Sequence, residues 1–119
     1  MNGGSTMKWT IEVNGNKFTA VAEENEAAAA LTNLMPLTVK LSDYAGFEKV
    51  GAIGKRLPAN DRRTTTEPGD IVLYSRDQIV MFYGKNTWEY TRLGHVEDLT
   101  GWKEALGSGN VTVVLTPAE

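Results

Sequence analysis

The chain of 119 residues contains no cysteine, which excludes disulfides, thiolate metal sites and cysteine nucleophiles. The compartment stays open, because proteins without cysteine occur in reducing and oxidising surroundings alike. The sequence has no apolar run approaching the ~18 residues of a membrane-spanning helix, and it does not start with a basic segment followed by an apolar one. We therefore expect a soluble protein without a membrane span or signal peptide.

Positive charge is also scarce. The 12 lysines and arginines are outnumbered by 15 aspartates and glutamates, the net charge is −3, and no basic block exceeds two residues. A nucleic-acid-binding surface needs clustered basic side chains to neutralise phosphates. We predict no nucleic-acid partner, and the composition indicates no particular oligomeric state.

Groups that commonly carry catalysis are few. His95 is the only histidine, whereas a conventional zinc site needs several well-placed ligands. No serine lies in a nucleophile-elbow motif that would pair with it. Several acidic residues are dispersed along the chain and form neither a paired-carboxylate motif nor a calcium-binding loop: Asp43, Asp61, Asp70, Glu97 and Asp98. We predict no catalytic residue, metal site or cofactor, and interpret His95 as a loop residue at the end of a strand.

The first six residues differ in composition from the rest. Residues 1–6 (MNGGST) are small and polar, and they directly precede Met7 and the first predicted strand. This composition predicts a flexible tail or linker. Residues 7–119 have the ordinary length of a domain with one hydrophobic core, so we predict a single domain there.

A β-hairpin is predicted near the start of the chain. Residues 8–13 and 16–22 are separated by Asn14-Gly15, a dipeptide that favours a type I′ turn because both residues tolerate positive φ. A two-residue turn sets the register of the strands. The predicted pairs are Val13 with Asn16, Glu12 with Lys17, Ile11 with Phe18, and Trp9 with Ala20. This register places apolar side chains on one face and a complementary charge pair on the other.

A second hairpin is predicted over residues 68–84 (PGDIVLYSRDQIVMFYG). Its segments 71–74 and 79–83 are mostly β-branched or aromatic, and they flank a four-residue polar loop over 75–78. Both faces of both strands are apolar, whereas a half-exposed sheet would alternate with polar residues. We therefore expect one face to line a barrel interior and the other to meet a helix or a ligand surface.

Two short helices are predicted. Asn25 is placed to cap the first, which Pro36 ends. The second covers residues 100–106, with Thr100 as its cap and Gly107 as its terminator.

Further strands and one long loop complete the predicted architecture. The additional clear strands cover residues 37–41, 87–93 and 111–115. The pattern weakens between residues 42 and 68, where short strands precede a long polar loop over 59–67. So many strands on a short chain favour closure into a small barrel, because closure removes exposed edges.

Several short motifs carry a resemblance to a known family. They are LMPL at 34–37, LSDY at 41–44, LP at 57–58, EPGDI at 67–71, FYG at 82–84 and YTRLG at 90–94. In this order, with the first hairpin and helix, the chain resembles the cyclophilin-like barrel superfamily, and more closely a set of small bacterial cyclophilin-like domains of poorly defined function. The resemblance covers residues 7–117. It implies a mainly β fold: a closed antiparallel eight-stranded barrel with two short helices.

The resemblance does not extend to the catalytic motifs of true cyclophilins. Those prolyl isomerases carry a Phe-His-Arg motif and a Gln-Phe-Phe segment, and neither occurs in this sequence. We therefore carry over the fold and leave out the catalytic assignment.

Seven side chains are candidates for ligand binding: Arg62, Arg63, Tyr74, Phe82, Trp88, Tyr90 and Arg92. The paired arginines offer planar guanidinium groups to anionic or carbonyl-bearing ligands, or they form local ion pairs in a solvated loop. The aromatic residues share strand parity and form either a groove, with Arg92 at its edge, or barrel core.

Two hypotheses of function follow. The first, which we favour, is a non-catalytic module that binds a peptide segment or a small molecule on an aromatic surface. The alternative is a divergent peptidyl-prolyl cis-trans isomerase that works through Arg62 or Arg63 together with the aromatic cluster.

Overall fold

A computed structural model describes residues 7–118, so the tail predicted over residues 1–6 lies outside the described part of the chain. The elements in chain order are β1 (Lys8–Val13), β2 (Asn16–Ala22), α1 (Glu26–Thr32), β3 (Leu37–Tyr44), β4 (Glu48–Ala52), β5 (Arg62–Thr66), β6 (Asp70–Tyr74), β7 (Gln78–Phe82), β8 (Asn86–Val96), α2 (Trp102–Leu106) and β9 (Val111–Pro117). The strands predicted from residue patterns are present, and most extend beyond their predicted ends.

Eight of these strands form an antiparallel ring. The order is β2-β1-β9-β3-β4-β7-β6-β8, and the pairing of β8 with β2 closes the ring. At the closure Ala20 lies opposite Val96 and Ala22 lies opposite Gly94. The predicted eight-stranded architecture with two short helices is therefore confirmed, and β5 adds a ninth strand outside the ring.

The first hairpin has the predicted register. Val13 pairs with Asn16 and Ile11 with Phe18, as the two-residue turn requires. Asn14 and Gly15 both have positive φ, at 50° and 82°. Local turn chemistry therefore sets this part of the fold.

The hairpin of β6 and β7 is buried on both faces, as its apolar pattern predicts. The inward side chains belong to the main core: Ile71, Leu73, Ile79 and Met81. The outward ones form a second cluster with Tyr90: Val72, Val80 and Phe82. The loop has three residues rather than the predicted four, because Gln78 already pairs with Tyr74.

The helices are close to their predicted positions, with two differences at their ends. Asn25 caps α1 as predicted, because its Oδ1 accepts a hydrogen bond of 2.8 Å from the Ala28 amide. The helix ends at Thr32, before Pro36 is reached. The cap predicted at Thr100 is wrong, since Gly101 occupies the N-cap of α2 with φ of 79°. Within residues 7–118 no helix has the length and apolar character needed to cross a membrane.

The prediction of a long polar loop over residues 59–67 is wrong in part, because β5 occupies most of it. Threonine has a high β propensity, and the Thr65 hydroxyl lies 2.9 Å from that of Thr87 on the neighbouring strand. Most side chains of β5 are exposed. Without an apolar face, such an edge strand leaves no alternating pattern in the sequence.

The strand β8 belongs to two layers. Its first half pairs with β5, and its second half pairs with β6 and β2. The register shifts opposite Ile71 and Val72, so that Leu93 and Val96 both reach the main core although they are three residues apart. We call the paired residues 62–66 and 86–90 the β5–β8 ribbon. It lies over the outer face of the β6–β7 hairpin, with Tyr90 packed against that face.

Gly94 allows the close approach that closes the ring, and its replacement tests this constraint. A Cβ at Gly94 would lie 2.5 Å from the Val21 carbonyl oxygen and 3.1 Å from the Trp9 ring. We expect Gly94→Ala to lower the free energy of unfolding by about 2 kcal/mol or more, measured by denaturant titration. The control Gly109→Ala meets no atom within 4 Å and should change it by less than about 0.5 kcal/mol. Equal stability of the two variants would show that Gly94 is not a packing constraint.

Candidate functional site

A cavity of about 510 Å³ opens between β4 and the β5–β8 ribbon, and we call it the aromatic cavity. Five of the side chains that line it are aromatic: Tyr44, Phe47, Tyr74, Trp88 and Tyr90. Its polar side chains are Glu48, Gln78 and Asn86. The cavity therefore combines a largely aromatic wall with one carboxylate and two amides.

Strand alternation delivers these side chains to one place. Glu48 and Val50 lie on the same face of β4 because they are two residues apart. For the same reason, Trp88 and Tyr90 share one face of β8, and all four side chains line the cavity. Tyr74 reaches the cavity from the end of β6. Because β4 and β6 both pair with β7, the ribbon above them completes the wall.

The aromatic rings contact one another edge to face. The Tyr74 and Tyr90 ring centroids are 6.2 Å apart, and those of Tyr44 and Phe47 are 5.8 Å apart. The Tyr90 hydroxyl accepts a hydrogen bond of 2.8 Å from the Asn86 amide. Trp88 is not part of either of these ring pairs, and 51% of its surface is exposed. An exposed tryptophan beside packed rings leaves an aromatic face free for a ligand.

Glu48 is the unusual group of the aromatic cavity. It is only 7% exposed, and its Oε1 atom is fully enclosed without a hydrogen-bond partner among the described residues 7–118. Burial, together with the negative charge of Asp43, raises the pKa of Glu48 to about 7. Near neutral pH this carboxyl group therefore exchanges between its protonated and ionised forms.

A second cavity, the arginine cavity, also measures about 510 Å³ and is lined by Arg62, Arg63 and Arg92. Much of its charge is already paired. Arg92 Nη1 lies 3.3 Å from Asp70 Oδ2, and its Nη2 donates to the Thr65 carbonyl oxygen at 3.3 Å. Arg63 lies 3.6 Å from an oxygen of Glu89. These contacts tie the ribbon to the ring and leave less of the positive charge for a ligand.

The candidate residues thus fall into separate groups. Tyr74, Trp88 and Tyr90 line the aromatic cavity, and Tyr90 also lines the arginine cavity with the three arginines. Phe82 is fully buried beneath Tyr90, with ring centroids 5.7 Å apart. Arg92 lines the arginine cavity together with Tyr90, and its guanidinium group pairs with Asp70.

Sequence reasoning missed several lining residues. Tyr44 and Phe47 lie in a stretch with a weak pattern, and Glu48 and Asn86 look like ordinary polar residues near turns. Burial of Glu48 depends on which elements pack around β4, and this is decided by the tertiary structure. The only local signal was the occurrence of two aromatic residues, Tyr44 and Phe47, within the four residues before Glu48.

Lys49 forms an internal ion pair that the sequence did not reveal. It is fully buried, and its Nζ lies 3.2 Å from Asp43 Oδ1 and donates to the Gly109 carbonyl oxygen at 2.6 Å. Tyr83 donates a hydrogen bond from its hydroxyl to the same Asp43 oxygen. This bond and the nearby Lys49 lower the pKa of Asp43, while burial and Asp43 raise the pKa of Tyr83 to about 12. The cluster is already satisfied by its own members.

His95 lies within β8 rather than in a loop, and its side chain is exposed. It lies opposite Val21 and Asp70 in the two neighbouring strands. Among residues 7–118, no three histidine, aspartate or glutamate side chains are grouped as metal ligands.

Comparison with known proteins gives a family and a similar fold. The sequence model of the Cyclophilin-like family matches residues 11–116. The chain belongs to the cyclophilin-like family. Its fold is similar to the solution structure of a hypothetical protein from Archaeoglobus fulgidus, with a TM-score of 0.67 and 16% identity over 99% of this chain and 100% of that one. No curated protein matches the chain.

The Asp43–Lys49 pair of this cyclophilin-like chain generates one stability prediction. Asp43→Ala leaves the buried Lys49 without its carboxylate, so we expect it to lower the denaturation midpoint clearly. Lys49→Met removes the buried charge itself and should stay within about 1 kcal/mol of the unmodified protein. In the double variant Lys49→Met should restore much of the stability lost with Asp43→Ala. Additive effects of the two substitutions in denaturant titrations would contradict this coupling.

Glu48 generates a pH prediction. A pKa raised from 4.5 to about 7 means that the folded state binds this proton more tightly than the unfolded state. The stabilising contribution is therefore complete below pH 4.5 and is lost as pH rises through about 7. The loss amounts to about 3 kcal/mol at most.

The Glu48→Gln variant should lack this decline, so its stability relative to the unmodified protein should increase across the same pH range. Denaturant titrations at a series of pH values measure the difference. Glu12→Gln, at an exposed carboxylate on β1, is the matched control and should leave the decline in place. Parallel curves for the unmodified protein and Glu48→Gln would contradict the shifted pKa.

Proposed function

We propose that residues 7–119 form a single non-catalytic binding domain that holds a small molecule or a peptide segment in the aromatic cavity. The observation that carries this proposal is the exposed Trp88 beside a cavity lined by Glu48, whose Oε1 atom has no hydrogen-bond partner in the described part of the chain.

The exposed aromatic surface supports this function. Tyr44 and Trp88 are 58% and 51% exposed, and both border the aromatic cavity. Large aromatic side chains left in contact with water beside a concavity are typical of recognition sites, because a ligand removes that surface from water. Their neighbours Tyr74 and Tyr90 are held by packing and so present a preformed wall.

The size and polarity of the cavity also support it. A volume of about 510 Å³ lies within the usual range for small-molecule sites. Such sites combine apolar walls with a few polar groups that orient the ligand, and Glu48, Gln78 and Asn86 supply those groups here.

The isomerase alternative requires Arg62 or Arg63 next to the aromatic side chains. Both arginines line the arginine cavity instead, and Tyr90 is the one candidate aromatic residue shared between the two cavities. This distribution favours the binding module over an isomerase.

Protein-observed NMR with a panel of small aromatic fragments and proline-containing peptides tests the proposal. We expect shifts that cluster at Glu48, Tyr74, Trp88 and Tyr90. Trp88→Ala should weaken binding by about tenfold or more, since the ligand loses an aromatic face, and should change the free energy of unfolding by less than about 0.5 kcal/mol.

Arg62→Ala is the matched control, because Arg62 is exposed and lines the arginine cavity. Loss of binding with Arg62→Ala but not with Trp88→Ala would move the site to that cavity and overturn the proposal. A coupled assay on an X-Pro peptide tests the non-catalytic part. Isomerisation faster than the uncatalysed rate would favour the alternative function.

A further inference from the structure

We infer that the aromatic cavity recognises an organic ammonium group, which pairs with the Glu48 carboxylate while its apolar body lies against the aromatic wall. This inference rests on the proposed binding function and adds the chemical class of the ligand.

The Glu48 carboxylate has an oxygen that lacks a hydrogen-bond partner among residues 7–118. A buried carboxylate is costly unless it is paired or hydrogen-bonded, and Glu48 Oε1 accepts no hydrogen bond from the described residues. No lysine, arginine or histidine is among the residues that line the cavity. The neighbouring cation, Lys49, is engaged with Asp43 and Gly109. A ligand cation would supply the missing partner.

The walls of the cavity suit a cation as well. Aromatic faces carry partial negative charge and attract ammonium groups, most strongly at tryptophan. Trp88 offers an exposed ring, and Tyr74 and Tyr90 stand beside it. An anionic ligand would be repelled by the Glu48 carboxylate and by the partial negative charge on the faces of these rings.

The Glu48 carboxylate indicates which kind of cation fits. Its oxygens accept hydrogen bonds, and a primary ammonium offers three N–H groups, whereas a quaternary one offers none. A neutral alcohol donates a hydrogen bond but leaves the carboxylate charge uncompensated. A primary ammonium on a compact apolar body therefore satisfies both the carboxylate and the rings.

The proton is the competitor of this ligand. Burial raises the pKa of Glu48 to about 7, so the free cavity binds a proton below that pH. The other ionisable groups around the carboxyl are the tyrosines at 44, 74 and 90, and Asp43 of β3. Burial raises the pKa of Tyr90, and the hydrogen bond from Tyr83 lowers the pKa of Asp43. Both shifts move these groups away from neutral pH, so the pH dependence of ammonium binding reports on Glu48.

Titration of the folded chain with three compounds tests the inference by NMR and calorimetry. The compounds are 2-phenylethylammonium, its neutral analogue 2-phenylethanol, and Nα-acetyl-lysine-N-methylamide, which stands for a lysine side chain of a peptide. At about pH 8 we expect at least one ammonium compound to bind about tenfold or more tightly than the alcohol. The tighter ammonium compound distinguishes a free amine from a lysine side chain.

Two further results are expected for the ammonium compound that binds. Its affinity should fall by about tenfold per pH unit below the Glu48 pKa, because the ligand must displace a proton. Glu48→Gln should weaken binding by about tenfold or more and remove the pH dependence, whereas Glu12→Gln should do neither. Trp88→Ala should weaken binding of the ammonium compound both in the unmodified protein and in the Glu48→Gln variant.

Failure of this inference is distinguishable from failure of the binding function. Equal affinity for the alcohol and the ammonium compounds, or binding unchanged in Glu48→Gln, overturns the ammonium assignment and leaves a Trp88-dependent cavity in place. If only the neutral fragments of the NMR panel bind at the cavity, the ammonium assignment is likewise overturned and the binding function remains. If no compound in the two experiments perturbs the cavity residues, both the inference and the proposed function are wrong.

Discussion

Burial of both faces of the β6–β7 hairpin is the constraint on which the rest of this structure depends. Its inward face carries Ile71 and Leu73 into the main core, which a closed ring of strands can cover. Its outward face carries Val72 and Phe82, which the same ring cannot cover. A second layer is therefore needed, and β8 supplies it by leaving the ring in its first half and pairing with β5.

The aromatic cavity is a consequence of this second layer. The ribbon is two strands wide, so it covers the outer face of the hairpin through Tyr90 and leaves space above β4. Glu48 lies at that space, and its enclosed Oε1 atom accepts no hydrogen bond from the part of the chain that the structure describes. The adjacent Lys49 points to the other face of the same strand, where Asp43 neutralises it. Glu48 and Lys49 are neighbours of opposite charge, but they lie in different surroundings because successive side chains of a strand point to opposite faces.

The separation of the arginines from the aromatic side chains bears on function in the same way. Arg92 is held by Asp70 and the Thr65 carbonyl, so it fastens the ribbon to the ring. The aromatic cavity consequently has a carboxylate as its charged group, and membership of the cyclophilin-like family establishes the fold but no particular chemistry.

The sequence by itself determined the elements whose signals are local. The turn at Asn14-Gly15 with its register, the cap at Asn25 and the doubly apolar hairpin all follow from turn geometry and side-chain period. Of the candidate site, the sequence indicated Tyr74, Trp88 and Tyr90, because aromatic residues in predicted strands are recognisable from the sequence alone. Only the tertiary structure decided that β5 is a strand, that the arginines line another cavity and that Glu48 is buried. These facts depend on which distant strands pair and what lies above them, and a polar residue carries no local mark of being covered.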